Sequence, residues 1–140
     1  MKAQILVIDG QGGQLGSQII RELVARISDI QISAIGTNAA ATAAMLKAGA
    51  AKAATGENPV IVACRKADII IGPIGIVIAD SLMGEVTPDM AVAVGQSDAV
   101  RILIPVNKCE NMVAGVGSQP TSVLIQDAIS KITQILSNNC

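Results

Sequence analysis

Gln4-Ile5-Leu6-Val7-Ile8-Asp9-Gly10-Gln11-Gly12-Gly13-Gln14-Leu15-Gly16 is the stretch whose reading decides the fold. Residues 4–8 are almost wholly apolar and rich in β-branched side chains, which predicts a strand covered on both faces, as in a parallel sheet. After the glycines, Ile19, Ile20, Leu23, Val24 and Ile27 recur at helical spacing. Strand, glycine cluster and helix in that order open a nucleotide-binding βαβ unit. The stretch therefore points to a ligand that carries phosphate.

The glycines do not fit Gly-x-Gly-x-x-Gly from Gly10 and Gly12, because Leu15 stands at the third position. Gly-x-x-Gly-x-x-Gly fits through Gly10, Gly13 and Gly16. In that register Gly10 is expected to make a tight turn at positive φ, Gly13 to let the backbone approach a pyrophosphate, and Gly16 to bring helix close to strand. Gly13→Val is then expected to remove the ligand and spare the fold. Gln11, Gly12, Gln14 and Leu15 complete the phosphate loop, whose first helical N–H groups would face the phosphates. The spacing, with its Gln-Leu-Gly ending, resembles the extended short-chain dehydrogenase/reductases, particularly the dehydrorhamnose-reductase type. A glycine-rich turn with no ligand would share the pattern.

Asp9 departs from that family, whose members usually carry Thr before the first glycine. A carboxylate at the end of a central strand repels phosphate unless it is hydrogen-bonded or bridged by a cation. Capping of the loop N–H groups is the favoured role, because one acid without a partner is a poor metal site. No metal centre is expected.

A chain of 140 residues, 51% hydrophobic and 15% charged, is expected to form one globular domain over residues 1–140. Net charge of −1 leaves no electrostatic footprint for nucleic acid or an anionic membrane. With no Phe, Tyr or Trp there is no base-stacking platform. No apolar run reaches the roughly 18 residues of a membrane span. Met1-Lys2-Ala3 leads straight into the strand without a signal peptide, so a cytoplasmic location is expected. The absence of His excludes Ser-His-Asp and Cys-His machinery, and the absence of Tyr excludes the Tyr-x-x-x-Lys pair of short-chain dehydrogenases. Cys64, Cys109 and Cys140 are spaced for neither a disulfide framework nor a zinc knuckle. Cys64 reads as core, Cys140 as a tail thiol, and Cys109, beside Lys108, as the one setting that could lower a thiol pKa.

Further along, Gln31–Ile35 reads as a second strand ending at Gly36-Thr37-Asn38. There, about 20 residues past the fingerprint, a dinucleotide domain usually places Asp or Glu for the ribose hydroxyls. No acid is present, so a preference for NAD over NADP is not expected. Thr37 and Asn38 could bond a ribose or a 2′-phosphate, or Asn38 could simply cap the helix from Ala39. Residues 39–51 are an alanine-rich helix ended by Gly49, and residues 50–54 a short edge strand. Pro59 lies in the first turn of a helix through Cys64 and Lys66. Asp68–Ile71 is a buried strand running into Gly72-Pro73-Ile74-Gly75, which could line a nucleotide or only turn into a helix of Ile76, Val77, Ile78 and Leu82. Gly84-Glu85-Val86 breaks that helix. Thr87 caps the next one, with Pro88 at its first position, to about Gly95. Arg101–Val106 is a fifth strand with Pro105 at its end, Met112–Val116 a sixth, and Pro120 opens a last helix with Leu124, Ala128, Ile129, Ile132 and Leu136 on one stripe. The expected fold is a Rossmann-like, doubly wound parallel sheet in a three-layer domain, strand order 3-2-1-4-5 with a possible sixth.

Nearly the whole chain resembles an uncharacterised bacterial family of short Rossmann-like proteins, known only as a domain of unknown function. The resemblance is carried by Val7-Ile8-Asp9-Gly10-Gln11-Gly12-Gly13, Gly36-Thr37-Asn38, residues 44–50, Ala54-Thr55-Gly56-Glu57-Asn58, residues 72–79 and Ile104-Pro105. It implies a small stand-alone fold and supplies no activity.

The leading functional expectation is a nucleotide- or dinucleotide-binding protein, with NAD or NADP as the ligand and no complete dehydrogenase site. A small enzyme acting on a phosphorylated metabolite is the alternative, with Asp9, Glu57, Asn107 and Lys108 around the mouth. Lys108 would then carry a proton or act as electrophile, and Asp9 would be the acid or base. A structural subunit that binds nothing is the third. Alanine-rich helices and high hydrophobic content without aromatics predict a homo-oligomer, most simply a C2 dimer.

Overall fold

The computed structural model describes residues 1–106 and 111–138. Its sheet is all-parallel, in the order β3-β2-β1-β4-β5. The strands are β1 (Ala3–Asp9), β2 (Ile30–Gly36), β3 (Lys52–Thr55), β4 (Ile69–Pro73) and β5 (Val100–Ile104). Helices α1 (Gln14–Arg26), α2 (Ala39–Ala48), α3 (Glu57–Cys64), α4 (Pro88–Gln96) and α5 (Thr121–Asn138) make the crossovers and the close of the chain.

Alternation along β1 divides the core. Ile5 and Val7 face a cluster with α1, α2 and α5, through Ile19, Ile20, Leu23, Met45, Ile129 and Ile132. Leu6 and Ile8 face the other cluster, with Val60 and Cys64 of α3 and Met90 and Val94 of α4. Both faces of the central strands are thereby dry, which is why they read as continuous apolar runs. The expected doubly wound, three-layer α/β fold is present.

Local chemistry sets the ends. Asn38 caps α2, its Oδ1 accepting from Ala41 N at 2.9 Å, and Gly49 ends that helix at φ 126°. Thr87 caps α4, with Pro88 at the first position. Pro105 falls just past β5, where its missing N–H costs nothing.

Three expectations are corrected. Residues 112–116 form no strand; they are turn and irregular chain. No α-helix covers Ile76 to Leu82; Ile74–Val77 is one 3-10 turn, followed by a compact loop whose Asp80, Leu82, Met83 and Gly84 are all left-handed. Helix α3 stops at Cys64, before Lys66. Val24, at helical spacing with Ile20 and Ile27 along α1, is 55% exposed. Among the described residues no helix is long and apolar enough to cross a membrane.

Candidate functional site

The turn after β1 is closed by Gly13 N–H donating to the Gly10 carbonyl at 2.9 Å. Its left-handed residues are Gln11 (φ 51°) and Gly13 (φ 72°), and Gly10 is not among them. The expected positive φ at Gly10 is therefore corrected. Proximity demands glycine there, since a Cβ would stand 2.5 Å from Thr37 Oγ1, 2.9 Å from Glu85 Oε1 and 3.0 Å from Leu82 Cδ1. At Gly16 a Cβ would meet Met45 Sδ and Asp9 Cβ, so that glycine joins α1 to both β1 and α2.

Gly13 is pressed on its own protein. A Cβ would lie 2.8 Å from the Ala41 backbone, at a left-handed φ. Valine at 13 would thus strain the fold as well as any ligand site, and the expectation that it spares the fold is corrected. Gly12 is the reverse case. It has no left-handed φ, and no atom lies within 4 Å of where its Cβ would be.

Asp9 is 6% exposed. Its Oδ1 accepts from Gly10 N at 2.8 Å and its Oδ2 from Gly16 N at 2.7 Å. The favoured capping role is what the structure shows. Burial raises its pKa, the Gly16 and Gly10 N–H bonds oppose the rise, and the charge of Glu85 adds to it. Beyond Asp9, the loop leaves the N–H groups of Gly12, Gln14 and Leu15 with no acceptor among the described residues. Gly12 and Gln14 lie at one end of an open groove of about 740 Å³ between α1 and α2, whose lining also includes Arg21 and Lys47. Leu15 itself is turned into the core.

Sequence reading missed Glu85, which it took only as part of a helix break. Oε1 of this residue accepts from Gln11 N at 2.9 Å, Thr37 Oγ1 at 2.6 Å and Asn38 Nδ2 at 2.8 Å. Thr37 is the leading cause of a lowered Glu85 pKa; partial burial opposes the shift, and the Gln11 and Asn38 bonds add to it. A carboxylate thus stands against the end of β2, brought from between β4 and α4. Its one sequence signal was an acid beside a glycine in the loop after the strand expected to flank β1.

Asn38 is fully engaged inside the protein. Its Oδ1 caps α2 while its Nδ2 donates to Gln11 O at 2.9 Å and to Glu85. Gly72 and Pro73 end β4, and a Cβ at Gly72 would run into the Ile8 carbonyl. Ile74 begins the 3-10 turn. Leu82, 4% exposed, stands between Gly10 and Gly75 and so covers the crevice where strand order reverses. Glu57, in the first turn of α3, accepts from Thr87 Oγ1 at 2.5 Å. Cys64 is buried, and burial pushes its thiol up to about 11, as a core residue requires. Asn107, Lys108, Cys109 and Cys140 lie outside the described residues. Among the described residues no three acids or cysteines gather in a way that could hold a metal ion.

No curated protein matches the chain. Among solved structures it is similar to a dodecameric FMN-dependent Ubix-like decarboxylase from Escherichia coli O157:H7, at 16% identity and a TM-score of 0.43, over 95% of this chain and 77% of that one. Likeness of that degree says nothing about ligand or assembly. Residues 4–137 match the family described as a domain of unknown function, DUF3842, and the chain belongs to that family.

Proposed function

We propose that this protein binds a nucleotide or dinucleotide of the NAD(P) type on the loop from Gly10 to Gly16, without a complete dehydrogenase site. One observation carries the reading: among the described residues, nothing accepts from the N–H groups of Gly12, Gln14 and Leu15 at the start of a 13-residue helix. Backbone donors left open at a helix N-terminus are a fitting partner for phosphate oxygens. Arg21 and Lys47 supply positive charge along the adjoining groove, and no carboxylate is among its lining residues. The ligand sits on one Rossmann-like domain, and occupancy is the protein's signal to a partner or to a second copy of itself.

Gly12→Val is the test, because the fold makes no use of the space its side chain would enter. The variant is expected to melt within about 1 °C of wild type, as a surface substitution does. Its affinity for NAD, NADP and ATP by calorimetry is expected to fall at least about tenfold, since the valine methyls would displace a phosphate. Undiminished binding by Gly12→Val would refute the site.

A further inference from the structure

The acid that the end of β2 lacks in sequence is supplied in space by Glu85, 48 residues beyond Thr37. We infer that Glu85 selects the sugar of the bound nucleotide, accepting ligands with a free ribose 2′,3′-diol and rejecting those with a 2′-phosphate. The inference rests on the nucleotide reading above and narrows it from NAD or NADP to NAD-like ligands.

The geometry of the carboxylate carries it. All three of its hydrogen bonds end on Oε1, and they come from three different segments: the glycine loop, the end of β2 and the cap of α2. Oε2 accepts nothing from the described residues, and among these no fully buried side-chain oxygen lacks a partner, so Oε2 is reached by solvent. The head group is thereby fixed through Oε1, leaving Oε2 to accept from a ligand. An ionised carboxylate only accepts, and a ribose hydroxyl donates, so the two match. A 2′-phosphate is an anion with acceptors only, and it would meet Glu85 with Asp9 behind it. Among the described residues no cation is paired with Glu85 to offset that repulsion.

The loop that presents Glu85 is built to hold it there. Asp80 N donates to Val86 O at 2.7 Å, Val86 N to Ser81 O at 3.2 Å, and Glu85 N to Leu82 O at 3.1 Å. Leu82 and Val86 are buried on either side of the exposed turn. The acid is thus anchored before any ligand arrives, as a specificity group should be.

Calorimetry on the full chain with four probes tests the inference: NAD, NADP, ADP and 2′,3′-dideoxy-ADP. Wild type is expected to bind NAD and ADP about ten- to a hundredfold more tightly than NADP and the dideoxy nucleotide, the range for hydrogen bonds to a charged group. Glu85→Gln, folded by its melting curve, is expected to lose the preference for NAD over NADP. The comparison of ADP with its dideoxy analogue needs no variant and stands even if substitution at 85 unfolds the loop. Equal affinity for that pair overturns the inference. So does tighter nucleotide binding by Glu85→Ala, which would make the carboxylate a competitor for the ligand's place. Wild-type protein that binds none of the four probes refutes the nucleotide reading itself, and the sugar selection with it.

Discussion

Asp9 and Glu85 are carboxylates of one loop system, and their surroundings push them in opposite directions. Burial raises Asp9, so its contribution to stability is complete below the ordinary value of 3.8 and is lost as pH rises through the raised one. Hydrogen bonds, led by that of Thr37, lower Glu85, so its contribution is present above 4.5 and is lost as pH falls through the lowered value. Amide proton shifts read each group directly. The Gly16 N–H is expected to titrate with a midpoint above 3.8, and the Gln11 N–H with a midpoint below 4.5. A shared midpoint would remove the distinction. Asp9→Ala strands two buried N–H groups and is expected to cost about 2–4 kcal/mol in urea unfolding. Asp9→Asn is less innocent than a capping role alone suggests. Both carboxylate oxygens are in use, so the amide NH2 must face one donor. The capping role of Asp9 was legible from its place before Gly10. Glu85 was not, because 74 residues separate it from Gln11 and no local spacing reports a contact made by folding.

At the scale of elements, β1 and β4 were legible as continuous apolar runs because both their faces are buried, and α1 and α5 because their apolar residues recur at helical spacing. The segment after β4 was not. Ile76 and Leu82 are buried and, with Val77 and Ile78, read like a helix, yet Leu82, Met83 and Gly84 run left-handed at φ 53°, 57° and 87°. Side chains at positive φ are held by the packing of Leu82 and by the loop's own hydrogen bonds, neither of which periodicity records. Met83 makes the strain measurable because it is 96% exposed. Met83→Gly is expected to stabilise by about 1 kcal/mol, the left-handed penalty relieved less the entropy glycine adds to the unfolded chain. Its melting temperature should rise by about 3–5 °C. Gly84→Ala, with no atom within 4 Å of the new methyl, should fall by a similar amount for backbone reasons alone. Equal melting of all three proteins would show that the loop relaxes at no cost.

For the whole molecule, the strand order followed from sequence because right-handed crossovers leave few ways to wind buried strands separated by helices. Assembly was expected from alanine-rich helices, and the outer faces of α1 and α2 present Val24 and Leu46, each about half exposed and linked past Gly49. If these faces pair two copies, light scattering should give a dimer at micromolar concentration and a monomer for Leu46→Glu. A monomeric wild type would count against the pairing. The position of β1 has a consequence for the chain as it is made. It pairs with β2 over seven residues on one side and with β4 over three on the other. The first three strands can therefore join once Thr55 has left the ribosome, while the flank of β1 that awaits Ile69 stays open. At about 5–20 residues per second that interval lasts on the order of a second. Through it, the bare edge of Ile5, Leu6 and Val7 is the surface a chaperone would cover and a neighbouring nascent chain could pair with.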